Sequence, residues 1–187
     1  MSSFRIVFGI AFGMVVASAS ALPARAGDFV LTSPDVADQR TVPETFVHDG
    51  CGGGNLSPAL QWRGAPAGTR SFVVTVYDPD VPSGSGWWHW VLYNLPASAD
   101  RLARGAGDPA RQLLPLGAVQ GRNDFGTASY GGPCPLRGDR AHHYVFTVRA
   151  LDVESLPVRN GASAAMVGIT AHNHELAAAK LTAVYGR

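Results

Sequence analysis

The chain has 187 residues, of which 46% are hydrophobic, and it carries 15 Lys+Arg against 14 Asp+Glu. That length fits one domain with a real core, and the apolar share excludes wholesale disorder. A formal charge of +1 excludes a protein whose main task is gripping the phosphate backbone of nucleic acid.

Residues 1–26 read as an export signal. Arg5 supplies the positive start, Ile6 to Val16 an apolar run, and Ala24-Arg25-Ala26 a small-x-small cleavage site before Gly27. A cut after Ala21 also fits, because Ala19-Ser20-Ala21 has the same pattern. The apolar run is too short to span a bilayer comfortably, and no second run of spanning length follows. The expectation is therefore a periplasmic or secreted domain, residues 28–187, without stable membrane insertion. Loss of Arg5 and Arg25 leaves 13 basic residues against 14 acidic.

The mature chain opens with a polar, turn-rich stretch holding one short apolar run, Phe29-Val30-Leu31. Short strands are predicted at Thr45-Phe46-Val47 and Ala59 to Arg63. Ser71 to Tyr77 is a stronger strand, and its continuous β-branched and aromatic content predicts burial on both faces. Trp87 to Leu95 and His142 to Leu151 are the other strong strands. Residues 97–118 read as irregular and 120–140 as a long Gly/Pro/Asn/Asp loop. Ser163 to Val184 is rich in alanine and predicts the one substantial helix, with Gly186 as its stop and Gly168 as a kink or break. Strands joined by long loops predict a mainly antiparallel β domain.

Cys51 and Cys134 are the only cysteines, and both lie in Gly/Pro-rich loops without a CxxC partner. In an oxidising compartment they read as one disulfide, with a chain-entropy contribution of roughly 4 kcal/mol. The alternative is two unpaired thiols.

Chemistry concentrates between Tyr77 and Trp90, where Asp78 and Asp80 end one strand and a Gly/Pro/Ser loop leads into His89 among Trp87, Trp88 and Trp90. Strand alternation places His89 on one face with Trp87 and Val91, and Trp88 and Trp90 on the other. Along Ala141-His142-His143-Tyr144, the same alternation puts His142 and Tyr144 together and leaves His143 outside, as a solvated position. If the two histidine-bearing strands meet, His89, His142 and Asp78 or Asp80 form a polar cluster. Its histidines could donate hydrogen bonds to a phosphate monoester or a carboxylate.

These residues resemble a known family. Asp78-Pro79-Asp80-Val81-Pro82, Gly86-Trp87-Trp88-His89-Trp90, Asn94-Leu95-Pro96 and His142-His143-Tyr144-Val145-Phe146 look like the phosphatidylethanolamine-binding protein (PEBP) family. Asn55-Leu56-Ser57-Pro58, Asp124-Phe125-Gly126 and Tyr130-Gly131-Gly132-Pro133-Cys134-Pro135 are similar to its bacterial branch, the Raf-kinase-inhibitor-like YbhB/YbcL proteins. The resemblance spans about residues 30–186. It implies a PEBP-like fold of two antiparallel sheets with a C-terminal helical segment, and a small pocket for phosphate or a phosphorylated head group. By resemblance Asp78, His89, His142 and Tyr144 line that pocket with Trp87 as a wall, Asp80 supports its loop, and Pro133 and Pro135 form the rim. The resemblance also implies a cis peptide at Val81–Pro82. Two departures stand out: His143 replaces a usual arginine, and Leu136 a usual proline.

No Gly-x-Ser-x-Gly elbow precedes a helix, and Ser83, Ser85 and Ser129 lie in loops. A non-enzymatic binding protein without a cofactor is therefore expected. The alternative is a hydrolase using His89, His142 and Asp78 on a small ester or phosphoester. His172-Asn173-His174-Glu175 lacks the histidine a zinc-protease helix needs, since position 178 is alanine. Expected partners are a small anionic ligand and an unidentified protein, with a homodimer among the assemblies allowed.

Overall fold

The computed structural model describes Met1, residues 28–159 and residues 161–187, so the expected export signal lies outside the described residues. Eight strands and one α-helix follow in chain order: β1 Val30–Thr32, β2 Leu60–Arg63, β3 Ser71–Asp78, β4 Trp87–Pro96, β5 Arg101–Leu102, β6 Val119–Gln120, β7 His142–Leu151, α1 Ala164–Asn173 and β8 Glu175–Tyr185. They form two antiparallel sheets, one of three strands in the order β1-β2-β5 and one of five in the order β6-β4-β3-β7-β8. The fold is thus mainly β, as expected.

The central strand β3 is buried along both faces. One face packs Phe72, Val74 and Val76 toward Leu31, Leu60, Trp62 and Leu102 of the small sheet, and this layer is the main core. Trp62 meets Phe72 with ring centroids 5.4 Å apart. The other face joins Val73 to Val91, Tyr93 and Leu151, and α1 covers it with Ala164, Val167 and Ala171. Removing both layers of apolar side chains from water is what holds the sheets together.

Two expected secondary-structure elements are not found. Thr45-Phe46-Val47 is not a strand: Glu44–Phe46 is a single 3₁₀ turn that buries Phe46. The long C-terminal helix also stops early. Helix α1 begins at the Ser163 cap, whose Oγ accepts from Met166 N at 3.2 Å. It runs straight through Gly168, which faces the Trp88 ring, and ends at Asn173. Residues 175–185 then form β8, paired with β7 from Leu151↔Glu175 to His142↔Tyr185. Ala177, Ala178 and Ala179 favour a helix locally, but the open edge of β7 offers ten residues of ladder, and tertiary pairing overrides propensity. Gly186 therefore follows a strand, not a helix. Backbone bonds from Gln39 N to Thr182 O (2.7 Å) and Val42 N to Val184 O (2.8 Å) then cover the outer edge of β8.

A disulfide joins Cys51 to Cys134, 83 positions apart. It ties the 48–55 loop to the loop that follows β6. Gly132 lets those loops touch, because a Cβ there would stand 2.2 Å from the Phe46 carbonyl oxygen. All described peptide bonds are trans, so Val81–Pro82 does not carry the implied cis bond.

Strand alternation in β8 is tested by a pair of neighbours. Leu181→Ala should cost about 2–5 kcal/mol in urea unfolding, because Leu181 is buried, whereas Lys180→Ala should stay within about 0.5 kcal/mol. Replacing Cys51 and Cys134 together by serine should lower the unfolding free energy by roughly 4 kcal/mol, read from the same titrations.

Candidate functional site

In the antiparallel five-stranded sheet, the end of β3 lies beside the starts of β4 and β7. This topology alone delivers Asp78, Trp87, His89, His142 and Tyr144 to one end of the sandwich. They wall a cavity of about 350 Å³, together with Val81, Pro82, Ser83, Phe125, Cys134, Pro135, Leu136 and Asp139.

His89 reaches the cavity through a β-bulge. Val76 pairs with Trp90 and Tyr77 with Trp88, so His89 is the extra residue on β4. The bulge corrects the simple alternation. Trp87 does share the cavity side with His89. Trp90, however, packs into the inter-sheet core, while Val91 turns to the α1 side with Trp88.

The bulge is locked by an exchange of hydrogen bonds. Gly131 N donates to His89 O at 2.9 Å, and His89 Nδ1 lies 2.8 Å from Gly131 O. A carbonyl only accepts, so Nδ1 carries the hydrogen and neutral His89 presents a lone pair at Nε2. The ring is 2% exposed and is held edge-on by Phe125 and Tyr144. Burial lowers its pKa to about 4, against the opposing influence of the Gly131 bond and the Asp78 charge. His89 is thus neutral near pH 7, and at Nε2 it accepts. The sequence expectation that it donates to an anion is corrected on this point.

Asp78 is 1% exposed, and each of its oxygens has a partner. Its Oδ1 accepts from Asp80 N at 2.8 Å and its Oδ2 from His142 Nδ1 at 2.8 Å. His142 Nε2 consequently faces outward, 3.6 Å from Asp139 Oδ2. Burial, and then the charge of Asp78, raise the Tyr144 phenol, which stays protonated. Among the described residues, four buried side-chain polar atoms have no protein partner, and three belong to this wall: Trp87 Nε1, His89 Nε2 and Tyr144 Oη.

Asp80 and Pro133 do not line the cavity. Asp80 instead fastens the turn after β3 to β7. It accepts from His143 N (2.8 Å), and contacts His143 Nδ1 (2.7 Å) and Arg140 Nη2 (2.9 Å). Burial pushes its carboxyl up, and these partners together carry it below its ordinary value. His143 points away from the cavity, half exposed, but it is paired rather than merely solvated. Pro133 holds the loop behind the wall, its carbonyl accepting from His48 N at 3.1 Å.

Sequence reasoning left Phe125 and Asp139 out of the site. A large aromatic at the tip of the polar Asn123-Asp124-Phe125-Gly126 turn was the available signal. The turn folds back because Asp124 Oδ2 accepts from Trp88 N at 2.7 Å, and Phe125 then packs against His48, Trp87 and His89. Asp139 gave no signal, because an acidic residue in a Gly/Asp loop is ordinary.

Among the described residues, Ser83 is the only serine in the wall, and its Oγ donates to Gly86 O at 2.6 Å rather than to a histidine. His174 contacts Asp152 at 3.0 Å where α1 gives way to β8. Among the described residues, no cluster of three or more His, Cys, Asp or Glu side chains could hold a metal ion. Nor is any described helix long and apolar enough to cross a membrane.

Two antiparallel sheets with a small cavity at one end, walled by two histidines, a tyrosine and a tryptophan, define a class of β-sandwich binding domain. The sequence profile described as "Phosphatidylethanolamine-binding protein" matches residues 32–186. UPF0098 protein YbcL of Escherichia coli is 50% identical over 164 residues, covering 87% of this chain and 90% of that one. UPF0098 protein YbhB of the same organism is 50% identical over 157 residues, covering 83% and 98%. The crystal structure of E. coli YbcL superposes with a TM-score of 0.83 at 48% identity, covering 86% of this chain and 99% of that one. This chain belongs to the phosphatidylethanolamine-binding protein family. A phosphatidylethanolamine-binding protein from Plasmodium vivax, 11% identical with a TM-score of 0.52, shares the fold alone.

The low pKa of His89 links folding to pH. Its folded value of about 4 lies below the ordinary 6.5, so the unfolded chain binds the extra proton between those values. The contribution of neutral His89 is complete above about pH 6.5 and is lost as pH falls toward 4, by about 3 kcal/mol in all. Urea unfolding at pH 7 and pH 4 should show that loss, and His89→Gln should reduce it. An imidazole carbon or nitrogen NMR titration should place the His89 midpoint near 4.

Proposed function

We propose that this chain is an exported, non-catalytic binding protein whose cavity takes a small oxyanion, phosphate or a phosphorylated head group, and that it acts on a protein partner in the periplasm or outside the cell. Three polar atoms in the wall carry this reading. Trp87 Nε1, His89 Nε2 and Tyr144 Oη are buried without protein partners, and each such group costs about 1–3 kcal/mol unless something pairs with it. A small oxyanion fits that set of donors and acceptors, and the apolar walls of Phe125, Pro82 and Leu136 suit the substituent it carries. Trp87, His89, His142 and Tyr144 contact the ligand. Asp78 orients His142, Asp80 and Pro133 brace the loops behind the wall, and Pro135 forms part of the rim.

The binding reading is favoured over hydrolysis because the hydroxyl of Ser83, the one described wall serine, donates to the Gly86 carbonyl rather than to a histidine base. Export rests on the signal pattern of residues 1–26, and no nucleic-acid partner is expected of a chain this close to neutral.

Titrating phosphoethanolamine into the labelled protein at pH 6 should shift the Trp87 indole and the His89 and His142 ring resonances at millimolar ligand. Tyr144→Phe should weaken that affinity about tenfold or more, the value of one lost hydrogen bond to an ionised group. Absence of shifts at these residues defeats the ligand reading, and turnover of a phosphomonoester that disappears in His89→Ala replaces it with the hydrolase. Protein recovered from the periplasm should begin at Gly27, or at Leu22 if the earlier site is cut.

A further inference from the structure

The three unpartnered polar atoms are not equivalent. The indole Nε1–H of Trp87 only donates. The Tyr144 hydroxyl keeps its hydrogen, held there by burial and by the nearby Asp78 carboxylate, and a ligand oxygen competes with that carboxylate for it. His89 Nε2 is different, because the ring has already used its N–H on the Gly131 carbonyl, 2.8 Å from Nδ1. The remaining nitrogen accepts. A bare anionic oxygen set against it would bring two lone pairs together.

Resting on the reading that the cavity takes an oxyanion, we infer that it selects the form carrying a hydrogen on one oxygen: His89 Nε2 accepts that hydrogen, while Trp87 and Tyr144 donate to the other oxygens. For a phosphomonoester this is the monoanion, R–O–PO₃H⁻. The dianion lacks the hydrogen and brings a second negative charge toward Asp78.

Every titratable group facing His89 fits this division. Asp78 comes from β3, and both its oxygens are occupied by N–H donors, from Asp80 and His142. His142 and Tyr144 come from β7, and the His142 N–H at Nδ1 is committed to Asp78. Asp139 stands beyond His142 Nε2 at 3.6 Å. From the 48–55 loop, His48 stacks on the far side of Phe125, with ring centroids 4.7 Å apart. Phe125 itself covers the His89 edge with no polar atom. Among the described residues, no arginine or lysine lines the cavity, so a dianion meets no compensating fixed cation from them. Burial opposes protonation of His89 itself. The ligand is therefore the group that brings the proton, and the complex formed from a dianion in solution takes up one.

Methyl phosphate and methyl sulfate separate this from simple anion binding. They have nearly the same shape, and at pH 6 both are monoanions in large part, but the sulfate ester carries no hydrogen. The phosphomonoester loses its second proton with a pKa near 6, so its monoanion falls from about half to about one part in a hundred between pH 6 and pH 8.

Calorimetry on the wild-type protein should show methyl phosphate weakening about fiftyfold across that range. Titrations at pH 8 in two buffers of different ionisation enthalpy should show about one proton taken up per ligand. Methyl sulfate should bind at least tenfold more weakly than methyl phosphate at pH 6.

Equal affinity for the two esters at pH 6, or no proton uptake at pH 8, overturns the inference while leaving the anion reading intact. Parallel weakening of both esters with rising pH also overturns it, because the titrating group would then belong to the protein. Binding of neither ester at pH 6 removes the anion reading and the inference together.

Discussion

The paired hydrogen bonds between His89 and Gly131 are the constraint on which the rest of the site depends. They dock the loop after β6 onto β4 and hold the bulge. They also decide which nitrogen of the ring carries the hydrogen. Gly131 and Gly132 have no side chains, and each needs that. A Cβ at Gly131 would run into the Phe125 ring at 2.6 Å, and one at Gly132 into the backbone at Phe46. The loop thus approaches the strand through its backbone alone, and Asn123 secures the approach by donating to His89 O and Ser129 O. A buried imidazole that is tied down this way is a fixed dipole rather than a charge.

The electrostatics of the cavity are local. A chain with nearly equal numbers of acids and bases sets up little overall field. Two guanidinium groups described beside the site are already committed, that of Arg140 to Asp80 at 2.9 Å and that of Arg187 to the Pro135 carbonyl at 2.7 Å. The Arg140–Asp80 salt bridge braces the turn after β3 against β7. It lies outside the cavity, so its structural value does not become attraction for a ligand. Recognition falls instead to neutral donors and acceptors in an apolar setting, where each hydrogen bond is strengthened by low local polarity and each unpaired group is costly.

Much of this fold was legible in the sequence. Strands β3, β4 and β7 declared themselves through β-branched and aromatic runs, and Ser71 and His142 were placed at the starts of their strands. The histidine-bearing strands flank β3, which places Asp78 between their side chains. The C-terminal segment was illegible to propensity, because Ala177, Ala178 and Ala179 are good helix formers and only the free edge of β7 makes them a strand. Its buried alternation of Ala179, Leu181, Ala183 and Tyr185 was present in the sequence, masked by the alanines between Leu176 and Lys180. The bulge at His89 left no sequence trace, because an extra residue in a strand is set by what docks against it. That one unread feature moved Trp90 and Val91 to the opposite faces from those that alternation assigned.

The Cys51–Cys134 bridge closes a ring, with one segment of the chain before it and a C-terminal tail after it. Asp78, Trp87, His89 and Phe125 sit within the ring, whereas Leu136, Asp139, His142 and Tyr144 belong to the tail. The cavity is therefore a seam between the two, closed by the seven-residue ladder of β3 with β7. A single cut of the backbone between residues 103 and 118 would open the ring without releasing a fragment. Both pieces would stay covalently joined beside the seam, and the wall would lose none of its groups.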